Sequence, residues 1–264
     1  MLPIIKAFIL LAAAATTLAQ PHSLSCSSTA SAQPTPSVDA SAQLLRDLQS
    51  APTAIKRFQR LLVQGGSLLT GDALRKLIVF DFKGAQPASG ALGGSAKAAD
   101  IESYPFSAGL SISMTVGFLE PCGINTPHVH PRANEFLVLV QGSNLRFGSV
   151  LENGLVAPGQ NQEIAGALGQ YEGTIFPQGS IHYQFNDACE KAVFLAALDS
   201  TNPGTSSMAQ NFFSLNTGVL NATLGYPKTV DGRNYEAFLK AIPPNLAQDV
   251  GSCLARCSSQ QRAE

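Results

Sequence analysis

The sequence predicts a single all-β domain of barrel type, flanked by short helices on both sides. Three observations carry this. Two-residue alternation runs through Leu110 to Phe118, through Glu135 to Val140 and through Ile181 to Asn186. Helical spacing is confined to Asp39 to Gln64 and to the region after Asn202. Between these limits the chain is punctuated by Gly, Pro and Asn at the intervals expected of strand turns. Its 264 residues suffice for one large all-β domain or two small ones.

At the N-terminus, residues 1–19 read as a cleaved signal peptide, with Lys6, a short apolar core and small residues before Ala19. That core is too short for a membrane span, which needs roughly 20 apolar residues, and no later segment is longer. Residues 20–38 are rich in Ser, Thr, Ala and Pro and read as a flexible arm. Residues 39–75 read as a helical extension. Leu44, Leu45, Leu48, Ile55, Phe58, Leu61 and Leu62 recur at helical spacing, broken near Pro52 and stopped at Gly65-Gly66.

The barrel is expected over residues 76–200, opening with a strand in LIVFDF and followed by a Gly/Ala/Ser loop from Gly84 to Ala99. In the next strand Leu110, Ile112, Met114, Val116 and Phe118 share one face, and Ser111, Ser113 and Thr115 share the other. In EFLVLVQG both faces are apolar, which predicts a strand covered on its outer side as well, in sandwich packing or an oligomer. AVFLAALDS reads as the last buried strand. Residues 201–264 then form a set of short helices separated by Gly and Pro.

Composition excludes several classes of function. Net charge is −1 and 13% of residues are charged, so there is no basic footprint for nucleic acid and no polybasic patch for anionic lipid. Five cysteines behind a signal sequence place the protein in an oxidising, extracellular compartment.

The chemistry concentrates in the histidines. Of four in the chain, His128 and His130 form an HxH pair whose imidazoles point to one side of an extended strand. Glu135 follows after a short turn, and His182 sits in FPQGSIHYQFN about fifty residues on. His22 falls in the flexible arm. Imidazole suits zinc, copper, iron and nickel, whereas carboxylate suits harder ions such as manganese. A mixed His₃Glu set with open positions fits Mn(II) or Fe(II) better than closed tetrahedral zinc. Three neutral imidazoles and one carboxylate leave a divalent ion with net positive charge, so small anions are the expected ligands.

HVHPRANEFLVLVQG and FPQGSIHYQFN together resemble the paired motifs of the cupins, and their wording is similar to that of the germin-like proteins. The segment DSTNPGTSSMAQNFF is similar to germins too, and the resemblance spans roughly residues 75 to 240. It implies a jelly-roll β-barrel with Mn(II) held by His128, His130, Glu135 and His182. Germins include oxalate oxidases and proteins with superoxide dismutase activity, so the implied partner is superoxide or a small carboxylate. The implied assembly is a homo-oligomer built through outer barrel faces and C-terminal helices. Of two asparagines that line the substrate site in oxalate-oxidising members, Asn125 matches one. Thr115 occupies the other position and lacks the amide's paired donor and acceptor. Tyr171 stands where the second motif of the family begins with Gly. The family topology further implies a Cys122–Cys189 disulfide. Cys253 and Cys257, four apart in an expected helix, have poor geometry for bonding to each other, which leaves one of them to reach back to Cys26. Asn221-Ala222-Thr223 is a glycosylation sequon. The rival reading is a non-catalytic wall, storage or receptor-like protein with a structural metal; a cupin isomerase or iron dioxygenase is a weaker third.

Overall fold

The computed structural model of the chain describes residues 40–225 and 251–260. Helix α1 (Ala40–Ser50) ends before Pro52, and α2 (Ala54–Leu62) starts from Thr53, whose hydroxyl caps the helix by accepting from the Lys56 N–H. Leu48 and Leu61 pack with Ala108, so these helices bury one stripe against the loop that enters the barrel. Gly65 and Gly66, both at positive φ, turn a two-residue hairpin of β1 (Val63–Gln64) and β2 (Ser67–Leu68).

The strand expected in LIVFDF does not form. Gly71–Ile78 is a helix, α3, and Val79 to Phe82 carry no regular element. Asp72 in its first turn and Arg75 and Lys76 in its last complement the helix dipole. Leu74, Leu77 and Ile78 supply a helical stripe that the alternating reading missed. The first barrel strand instead lies inside the expected Gly/Ala/Ser loop, as β3 (Gly94–Ala99). Its sequence GSAKAA has low strand propensity, and it is held by full pairing with the next strand.

The remaining strands are β4 (Ser113–Leu119), β5 (Ile124–Val129), β6 (Glu135–Gln141), β7 (Leu145–Val150), β8 (Ile164–Leu168), β9 (Gly173–Phe176), β10 (Ile181–Asn186), β11 (Ala192–Leu198) and β12 (Ser206–Ser207). They form two five-stranded sheets, ordered β12-β5-β10-β7-β8 and β3-β4-β11-β6-β9, with every pairing antiparallel. This is a jelly-roll barrel. Leu119, Leu137, Leu139, Leu145, Leu168, Phe176 and Phe194 from both sheets fill its centre.

Register decides what faces inward. Thr115 pairs with Ala196, and Ala196 with Leu137, which places Thr115, Ala196 and Leu137 on the interior face. Along β6 the inward row runs Glu135, Leu137, Leu139, so a carboxylate begins a row that is otherwise apolar. The apolar rows Met114-Val116-Phe118 and Phe136-Val138 therefore lie on the outer face. Phe136 is 49% exposed and its cross-strand neighbour Ile175 58%.

After β12 come α4 (Met208–Phe212), α5 (Thr217–Thr223) and α6 (Gly251–Gln260). The expected Cys122–Cys189 bridge is replaced by two others, Cys122–Cys253 and Cys189–Cys257. The two barrel cysteines do come to one place, as the topology implied. But Cys253 and Cys257, four apart on α6, present both sulfurs on one helix face and each takes one of them. Arg256 between them reaches Asp187 at 2.6 Å. Cys26 lies outside the described residues, as does the expected helix around YEAFLKAI.

Candidate metal centre

His128 on β5 and His182 on β10 are cross-strand partners, and Glu135 opens β6 on the facing sheet. His130 follows one residue after β5. All four side chains are buried, and one ligand atom from each lies within 4.8 Å of the others. The three residues that are sequence neighbours and the one that is distant are thus brought together as expected.

The imidazoles are oriented by the backbone. The Nδ1 of His128 meets the Thr126 carbonyl at 2.8 Å, that of His130 meets Gly204 at 2.6 Å, and that of His182 meets Ser180 at 2.9 Å. A carbonyl only accepts, so each Nδ1 carries its proton and donates it. Each neutral ring therefore has its lone pair on Nε2. This is the tautomer a metal ligand needs, and orientation by a carbonyl is the usual support for such a ligand.

The Gly204 carbonyl comes from the Asn202-Pro203-Gly204 turn, which Arg132 braces through the Asn202 carbonyl at 2.7 Å. Gly204 is at φ +68, and a Cβ there would meet the Arg132 guanidinium and Pro131, so the turn requires glycine. Asn134 ties the same loop cluster together by donating to both oxygens of Asp199, at 2.8 and 2.6 Å.

Glu135 Oε2 sits 2.8 Å from His130 Nε2 and 3.5 Å from His182 Nε2. The second distance is outside good hydrogen-bond range, and the fully buried His182 Nε2 has no hydrogen-bond partner. A buried, orphaned nitrogen costs about 1–3 kcal/mol, and a metal at that point would relieve it. Burial lowers the His128 pKa to about 4, helped by the nearby His182. Burial acts on His130 in the same direction, but its bonds to Glu135 and Gly204 outweigh it and raise the pKa. Burial opposes ionisation of Glu135 too, yet the His130 and His182 contacts hold it at about 2. A carboxylate that stays ionised inside a barrel, faced by three inward nitrogens, fits a divalent transition metal. His128, His130, Glu135 and His182 are the residues that could hold it.

A cavity of about 220 Å³ adjoins these ligands, walled by Thr115, Asn125, Ala96, Ala98, Phe194 and Ala196 among others. Both residues expected to face a substrate are in its wall. The alanines of β3 and β11 make the space, since any larger side chain would fill it. Sequence reasoning missed Gln184, which is fully buried two residues after His182 and accepts from Asn125 Nδ2 at 2.6 Å. Its alternation with His182 and Asn186 was the available signal. Gly204, Thr126 and Ser180 were missed too, because a carbonyl that orients a ligand leaves no trace in side-chain pattern. Tyr171, at the motif's usual glycine, adopts φ +68 and is 77% exposed, so the position asks for the left-handed region and tolerates tyrosine at some strain.

Residues 81–231 match the Cupin family, and the chain belongs to it. Within that family it is similar to spherulins and to germin-like proteins. Spherulin-1A of Physarum polycephalum is 34% identical over 223 residues, covering 84% of this chain and 82% of the relative. Germin-like protein 12-2 of Oryza sativa subsp. japonica is 40% identical over 123 residues, 46% of this chain and 52% of the relative. A solved structure of recombinant oxalate oxidase in complex with glycolate superposes with TM-score 0.55 at 25% identity, covering 67% of this chain and 88% of the other.

Proposed function

We propose that this chain is a secreted, manganese-dependent oxidoreductase acting on a small anion, either superoxide or a carboxylate such as oxalate. The observation that carries the reading is the convergence of three carbonyl-oriented imidazoles and an ionised Glu135 beside a cavity containing Asn125 and Thr115. The likeness to oxalate oxidase with glycolate supports the carboxylate option.

Bound manganese would supply one-electron redox chemistry and a local positive charge. The protein's part is to hold and orient. His128, His130 and His182 offer neutral nitrogens, and Glu135 offers a charge that offsets part of the ion's. Asn125, its amide fixed by Gln184, hydrogen-bonds the anion, and Thr115 adds one hydroxyl. Phe176, stacked on His182 at 4.4 Å, shields the centre from water. Two disulfides support an extracellular location. Among the described residues no helix is long and apolar enough to cross a membrane.

We also propose a homo-oligomer that buries the apolar outer face of the β3-β4-β11-β6-β9 sheet. A patch of exposed Phe136 and Ile175 beside half-buried Met114, Phe118, Val193 and Leu195 is unusual on a monomer. Asn221 of the sequon lies in α5, half-buried, with its amide oxygen buried without a hydrogen-bond partner.

Thr115 is the one observation that favours the rival, a non-catalytic protein with a structural metal. Superoxide and oxalate assays on the metal-loaded protein separate the two. Turnover that falls about 100-fold or more in Asn125→Ala supports the enzyme. Stoichiometric manganese with neither activity supports the rival.

A further inference from the structure

A second cavity, of about 240 Å³, abuts the first and shares with it Ala98, Thr115, His130 and Thr205. Its remaining wall includes Ser113, Asp100, Glu102 and Asn202. The space beside the ligands therefore continues past Thr115 toward the surface. An amide at position 115, longer than threonine, would narrow that passage.

Ser113 stands two residues before Thr115 on the same face of β4. It is 5% exposed, and its buried hydroxyl has no hydrogen-bond partner. Such an orphan is destabilising by about 1–3 kcal/mol unless something else satisfies it. The charges in the walls are one-sided. Among the described residues neither cavity is lined by Lys or Arg, whereas Asp100 and Glu102 border the outer one. Asp100 is occupied in its own turn, accepting from the Glu102 and Ser103 N–H groups at 3.0 and 2.9 Å. Glu102 is exposed at the rim. A second carboxylate in this space would meet like charge, with no Lys or Arg side chain in the wall to offset it. A hydroxyl would meet Ser113, Thr115, Asn202 and Thr205.

We propose that the site takes a hydroxylated monocarboxylate longer than glycolate, in preference to oxalate. Its carboxylate lies beside the His-His-Glu-His group and its hydroxyl-bearing tail lies in the cavity walled by Ser113 and Glu102. This rests on the reading that the metal centre binds small carboxylates.

The test uses the full-length protein loaded with Mn(II), followed by electron paramagnetic resonance while glycolate, glycerate, gluconate or oxalate is added. Glycerate and gluconate should perturb the signal at several-fold lower concentration than glycolate or oxalate. Ser113→Val should weaken gluconate about five- to tenfold more than it weakens glycolate, the loss of about one hydrogen bond. Metal content of the variant reports that the barrel is intact. Oxalate binding more tightly than the hydroxylated acids overturns the proposal, as does a Ser113→Val effect equal for gluconate and glycolate. If glycolate binds and the longer acids do not, only this inference fails. If no carboxylate changes the signal, the carboxylate reading of the metal centre fails with it.

Discussion

Three imidazoles and a carboxylate whose ligand atoms lie within 4.8 Å of one another, nearly out of contact with water, make the metal-free centre an electrostatic compromise. His128 has its pKa lowered from 6.5 to about 4, so its neutral form is favoured by folding. That contribution is present above pH 6.5 and is lost as pH falls toward 4; Glu135, lowered to about 2, follows at still lower pH. His130 has the opposite sign: its raised pKa contributes stability below 6.5 that fades as pH rises. The metal-free protein should therefore melt at lower temperature at pH 4.5 than at pH 7, and a melting temperature that is flat or rising on acidification would contradict the assigned burial of His128. The four ligands were legible because HxH, Glu and a distant His have side-chain chemistry that pattern can register. Gly204 was not, because its part is played by a backbone carbonyl. Gly204→Ala should shift the carbonyl that orients His130 and weaken metal binding about 10–100-fold, measured by competition with a chelator. Wild-type affinity in that variant would show that the turn does not position the ligand.

Elements whose own pattern agrees with their place were readable in advance, and those governed by distant partners were not. β4 and β10 alternate cleanly, β6 is a short apolar run closed by Gly142, and all three form as expected. GSAKAA became a strand only because β4 offers a complete edge, and LIVFDF became the end of a helix and an irregular segment because the helical stripe of Leu74, Leu77 and Ile78 and the charge order at the helix ends outweighed its β-branched content. The helix α6 shows a third case. Its Cys-x-x-x-Cys spacing was legible as poor geometry for an internal bridge, but its target on the barrel was not. The two bridges close loops separated by 131 and 68 residues in sequence. Replacing both Cys253 and Cys257 by Ser should cost about 2–5 kcal/mol per bridge and release α6, with manganese still bound at ambient temperature. Peptide mapping of native protein that found Cys122 joined to Cys189 would contradict the clasp.

At the scale of the molecule, the barrel keeps an apolar centre but departs from a simple soluble sheet in two places. One end of its interior is polar and carries the site, while the outer face of one sheet is apolar. The alternation within β4 was legible, but its sense was not, because period-two pattern does not say which side is inside. Polar residues inward are tolerated here because they line a cavity, and apolar residues outward call for a partner surface. Phe136→Asp, on the most open part of that face, should convert an oligomer to monomers in size-exclusion chromatography with light scattering, with little change in metal content. Wild-type protein that is monomeric at micromolar concentration would contradict the proposed interface.

The central claim is that the buried His-His-Glu-His group is a metal centre, and metal analysis of the purified full-length chain tests it most directly. About one manganese per chain, lost in His182→Ala while the barrel remains folded by circular dichroism, is the predicted result. A native protein without bound transition metal, unable to take up manganese on titration, would contradict it.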